Sequence, residues 1–125
     1  MTQFMATGYH ISVQIDPLNP LDYYAVLDER TAPSVVIFTG PACGACRRLK
    51  AVLAEMSPIP GVAVYEVGAE RAGGLVEELE IFHLPALFLY QDGDLHAEIH
   101  AILRPDALRA AIAAARCAPP AVEWP

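Results

Sequence analysis

Positive charge is scarce in this chain: eight Lys and Arg stand against fifteen Asp and Glu, a formal net charge of -7 over 125 residues. Nucleic-acid grooves and anionic membrane surfaces are met by clustered cations, so this balance excludes both as main partners. Long apolar runs are also missing, and no segment reads as a bilayer span. The first residues, Met1 to Gly8, lack the basic start and apolar stretch of a secretory signal, which gives the expectation of a cytoplasmic protein. Cysteine is rare as well. Three are too few for a disulfide scaffold, and in a reducing compartment a closely spaced pair points to catalysis or metal binding. With 54% hydrophobic residues, the chain is long enough for one domain with a real core.

What the chain does have is concentrated between Ser34 and Cys46. Ser34 to Thr39 is apolar at its centre and β-branched, as expected of a strand covered on both faces in a parallel sheet. Gly40-Pro41-Ala42 then leads to Cys43-Gly44-Ala45-Cys46 at the start of a helix running to about Met56. At a helix N-terminus a cysteine meets unpaired N–H groups and the positive end of the dipole, both of which favour thiolate. Cys43 is therefore the expected nucleophile. Cys46, nearly one turn on, is placed to resolve a mixed disulfide formed at Cys43. The same spacing is half of a zinc site, so the motif alone leaves redox chemistry, metal ligation and an inert pair open.

Around this centre the pattern alternates. His10 to Ile15 reads as a strand with one buried face, ended by Asp16-Pro17. Asn19 as N-cap with Pro20 at the first position predicts a helix to about Arg30, with Leu21, Tyr24 and Leu27 or Asp28 on one side. Val62 to Val67 is a strand and Gly73 to Glu80 a short helix. Ala86 to Tyr90 and Leu95 to Ile102 are paired strands joined through Asp92-Gly93, and Pro105 opens a final helix to about Arg116. Residues 1–8 form an arm, 9–116 a core and 118–125 a Pro-rich tail, which favours disorder or loose docking.

This element order resembles the thioredoxin family: CxxC after the second strand, His83-Leu84-Pro85-Ala86 before the fourth, and the Asp92-Gly93 hairpin in register. The resemblance implies an α/β thioredoxin-like fold, a central mixed sheet of about five strands flanked by about four helices. It also implies a cis bond at Leu84-Pro85 beside the CxxC, where the backbone pairs with an extended client segment, with Ala42 in contact. A cis proline suits that place, exposing neighbouring backbone without an N–H of its own.

Departures from the family fall at the site. Ala42 replaces a Trp, and Gly44-Ala45 replaces Gly-Pro. Ile37 stands where the family keeps a buried acid six residues before the first cysteine, and Glu66 falls near a usual Lys. Glu66 is thus a candidate acceptor for the Cys46 proton, or else a solvated residue at a strand end. Arg47, Arg48 and Lys50 cluster beside the thiols, either lowering the Cys43 pKa or forming a solvated helix face, and His83 tunes the site or is structural. His96, Glu98 and His100 read as a polar outer face, and Cys117 as a small apolar residue or free thiol. The expected function is thiol–disulfide exchange with a protein disulfide or dithiol client, restored by an upstream thiol reductase, with no cofactor beyond the Cys43–Cys46 pair and no metal. The alternative is a thioredoxin-fold binding or assembly protein without redox turnover, and a glutathione-linked activity ranks last because Cys-Pro-Tyr-Cys is absent.

Overall fold

The structure is a computed structural model and describes residues 11–121. The expected arm, the start of the core at Tyr9 and His10, and tail residues 122–125 with Trp124 lie outside the described residues.

Among the described residues five strands form one sheet: β1 (Ile15–Pro17), β2 (Ser34–Thr39), β3 (Ala63–Gly68), β4 (Ala86–Gln91) and β5 (Asp94–Ile99). Their order across the sheet is β1-β3-β2-β4-β5. β1 and β2 run parallel to β3, while β4 is antiparallel to β2 and β5 to β4. Four helices cover it: α1 (Tyr23–Asp28), α2 (Gly44–Glu55), α3 (Gly73–Glu78) and α4 (Pro105–Cys117). This is the mixed five-strand, four-helix architecture the sequence implied.

Alternation along the strands divides the core in two. Val35, Ile37, Val64, Leu87 and Leu89 face one way and meet Leu49 and Leu53 of α2 and Leu108 and Ile112 of α4. Val36, Phe38, Val67 and Phe88 face the other way, onto Tyr23 and Leu27 of α1 and Leu75 of α3. Every residue of β2 is buried, as its unbroken apolar run requires. At the β4–β5 turn Asp92 and Gly93 both take positive φ, 54° and 83°, the two-residue turn whose twist matches paired strands. A β-carbon on Gly93 would also come within 3.1 Å of the Asp28 carbonyl oxygen.

Three expectations are corrected. The first strand lies at Ile15–Pro17, not His10 to Ile15. β1 is an edge strand, so Pro17 can end it without leaving a ladder bond unmade, and Leu18 N continues toward Glu66 O at 2.8 Å. The helix expected from Asn19 begins as a 3-10 turn over Pro20–Asp22, with Asn19 accepting from Leu21 N at 2.8 Å. The tighter winding rotates the apolar stripe, burying Tyr23 and Leu27 while Leu21 is left 92% exposed. Finally, His96 is not on a polar outer face. A register shift at Leu89/Tyr90 turns it inward, and residues 118–121 cover it, with His96 Nε2 2.8 Å from Ala118 O and Ala121 N donating to His96 O at 2.9 Å. This part of the tail docks on β5.

Candidate functional site

The chain leaves the buried β2 at Thr39 and crosses Gly40-Pro41-Ala42 to reach α2, on the edge where the parallel strands end. Cys43 is the N-cap of α2, in extended conformation (φ -117°, ψ 103°). Its Sγ occupies the acceptor position that a cap side chain normally fills with oxygen, taking a hydrogen bond from Cys46 N at 3.0 Å. Its carbonyl accepts from Arg47 N at 3.2 Å. A donor aimed at Sγ and a helix N-terminus both stabilise the thiolate once the sulfur is reduced.

Cys43 and Cys46 are joined as a disulfide, with Cα atoms 5.2 Å apart. Their exposure is unequal. Cys46 packs at 2% exposure, whereas Cys43 is half-buried, so Cys43 is the more accessible of the two sulfur-bearing residues. Gly44 and Ala45 form the first turn, and Ala42 is exposed. Cys117, at the end of α4, is an exposed free thiol.

The Leu84–Pro85 bond is cis and lies directly before β4. The segment preceding it packs against the loop that leads to Cys43. A β-carbon on Gly40 would sit 2.9 Å from Leu84 Cδ1, so the glycine is what lets the two loops approach. Beside that contact is a groove of about 360 Å³, floored by Val76, Ile81 and Leu84 and lipped by Pro41 and Phe82. Phe82 is 82% exposed, an unusual exposure for a ring that size. His83 and Glu70 are the titratable residues that line the groove. The sequence singled out His83, Leu84 and Pro85 but neither Gly40 nor Phe82. The signal for Gly40 was its place between a buried strand and a proline.

Glu66 is opposite Ile37 in the β2–β3 register and therefore shares its face, toward α2. Its Oε2 accepts from Thr39 Oγ1 at 2.6 Å and lies 2.6 Å from Lys50 Nζ. Burial alone would raise the Glu66 carboxyl, but the hydrogen bonds from Lys50 and Thr39 and the lysine charge together lower it below its ordinary value. A base for a thiol near neutral pH needs the opposite shift. Neither sulfur is among the hydrogen-bond partners of Glu66, and Lys50 belongs to this pair rather than to the cluster with Arg47 and Arg48. Among the described residues no three His, Cys, Asp or Glu side chains gather as a metal site, and no helix is long and apolar enough to cross a membrane.

The family model described as Thioredoxin matches residues 14–114. Over 70 residues the chain is 33% identical to "Thioredoxin O1, mitochondrial" of Arabidopsis thaliana; the match covers 54% of this chain and 36% of that protein's length. The chain thus spans about a third of that relative. Among solved structures, the thioredoxin of Malassezia sympodialis superposes with a TM-score of 0.71 at 19% identity, covering 86% of this chain and 96% of that one. Oxidised mitochondrial thioredoxin 3 of Saccharomyces cerevisiae gives 0.67 at 23% identity, covering 80% and 94%. At these identities the structures speak for the fold.

Proposed function

The chain belongs to the thioredoxin family, and from that premise we propose that it exchanges disulfides with a protein partner through Cys43 and Cys46. The observation that carries this reading is the half-buried Cys43 Sγ at the start of α2, held by the Cys46 amide at 3.0 Å.

In the reducing direction the Cys43 thiolate attacks one sulfur of the client disulfide. A Cys43–client bond forms, the client's S–S bond breaks, and the released client sulfur takes a proton. Cys46, as thiolate, then attacks Cys43 Sγ, closing the Cys43–Cys46 disulfide and freeing the second client thiol. Two electrons pass to the client, and two others from an upstream thiol reductase restore the Cys43 and Cys46 thiols. The backbone at Leu84-Pro85 holds the client's extended segment by strand pairing, with Ala42 and the groove beside Phe82 receiving its side chains. Glu66 acts in this scheme as the counter-charge that fixes Lys50 against β3, and the Cys46 proton leaves to solvent. A cytoplasmic location, where the thiols would be kept reduced, forms part of the proposal and is checked by fractionating cells that produce the protein.

The test is turnover: reduction of a protein disulfide in the presence of excess dithiol, with Cys43→Ser as control. Activity lost in the variant supports exchange. A reduced protein that binds clients but never cleaves their disulfides would instead be the assembly protein considered above.

A further inference from the structure

In a chain with a formal charge of -7, two cations at the start of α2 have no carboxylate partner among the described residues. Three basic residues follow the CxxC, but Lys50 is taken up by Glu66. Arg47 and Arg48 are exposed, and among the described residues neither forms an ion pair.

Helix geometry decides where they go. Side chains three and four residues on from Gly44 lie over its position, because each Cα–Cβ bond tilts back toward the N-terminus. Gly44 has no side chain to hold them off. A β-carbon placed on it would be 3.7 Å from Arg47 Nη2 and 3.9 Å from Arg48 Nη1, so both guanidinium groups converge on the residue next to Cys43. Like charges this close repel, and an anion bound between them would relieve that repulsion. The groove beside Pro41 and His83 includes Glu70, with Arg71 next to it in the chain. The α2 side of the site therefore holds the two cations that have no carboxylate beside them among the described residues.

We propose that Arg47 and Arg48 are a docking patch for carboxylate side chains flanking the reacting cysteine of the client, so that the preferred client segment is acidic on the side that faces α2. Guanidinium suits this because its planar fork pairs with carboxylate through two hydrogen bonds. The proposal rests on the reading of Cys43 as the attacking sulfur. The overall negative charge disfavours acidic partners at long range, which leaves selection to this local pair at contact.

The experiment uses two synthetic peptides, each closed by one disulfide, identical except that Asp in one is Asn in the other beside the cysteines. For the unaltered protein at low salt, the Asp peptide should be reduced about threefold to tenfold faster than the Asn peptide, as expected of two exposed ion pairs. In the double variant Arg47→Gln, Arg48→Gln, and at high salt, that ratio should fall toward one. Any effect of the arginines on the Cys43 thiolate acts on both peptides and cancels in the ratio. A ratio of one in the unaltered protein, or a ratio that survives in the double variant, overturns the proposal. A second arm does not depend on redox activity: the same peptides with Ser for Cys are titrated against the oxidised protein and followed by NMR. Shifts at Gly44, Arg47 and Arg48 with the Asp peptide alone support the patch even if no peptide is reduced. Equal shifts with both peptides, no shifts, or equal shifts with free succinate at the same concentration overturn it, the last by reassigning the patch to small anions.

Discussion

Lys50 Nζ lies 2.6 Å from Glu66 Oε2, tying the second turn of α2 to the strand beside the one that delivers Cys43. The lysine side chain is 45% exposed and the glutamate 25%, so solvent screens the pair and its worth is modest. Glu66→Gln should cost about 1 kcal/mol at pH 7. The sign of its pH dependence follows from the lowered Glu66 pKa. A carboxyl with a depressed folded value contributes stability that is present above its unfolded value, near 4.5, and is lost as pH falls through the folded one. Urea unfolding of parent and variant should therefore differ at pH 7, and the difference should shrink as the pH is taken below 4.5.

The same variant addresses proton transfer. With Glu66 kept ionised by Lys50 and Thr39, the pH profile of disulfide reduction should keep its shape in Glu66→Gln, measured between about pH 6 and 9, where thiols titrate. Disappearance of one limb would return Glu66 to the role of base for Cys46.

On the other face of the sheet, the hydroxyls of Tyr23 and Tyr90 meet at 2.8 Å inside the core. Burial, together with the neighbouring tyrosine and acidic charges, drives the Tyr23 phenol far above its ordinary pKa. Replacing either tyrosine by Phe leaves the other hydroxyl buried without this partner, at a cost of about 1–3 kcal/mol. The double Phe variant should recover part of that loss. A thermal double-mutant cycle showing strict additivity would mean the pair is not coupled.

Gly40 and Leu84 set the spacing of the two loops at the site. In Gly40→Ala the added methyl group would press on Leu84 Cδ1, the tip of a side chain that can move, so stability should drop by less than about 1 kcal/mol. Displacing Leu84 should matter more for a partner that pairs along the backbone at Leu84-Pro85. We expect KM for a protein disulfide to rise about threefold to tenfold, and for a small aromatic disulfide to rise less. Equal changes for both substrates would show that the loop contact does not serve client binding.

The centre of the fold was legible because β2 and α2 state their environment locally: an unbroken apolar run for a strand covered on both sides, and Cys46, Leu49 and Leu53 at helical spacing for a helix on the sheet. Turn chemistry at Asp92-Gly93 was equally local. The misses depend on information outside the segment concerned. Which residues of the first strand pair is decided by β3, and the inward turn of His96 comes from a register shift in β4 and from residues more than twenty positions later. At the site, the two sulfurs and the proline could be read as motifs. The partners of Glu66 could not, since Thr39 and Lys50 reach it only through the parallel pairing of β2 with β3 and the packing of α2 on that face.

Trapping tests the account most directly. Cys46→Ser removes the resolving thiol but keeps Cys43 and the exposed Cys117. Reduced and mixed with a protein disulfide, this variant should accumulate a stable mixed disulfide that peptide mapping by mass spectrometry places on Cys43, and that Cys43→Ser does not form. An adduct through Cys117, or none at all from a folded and reduced protein, would contradict the assignment of Cys43 as the attacking sulfur.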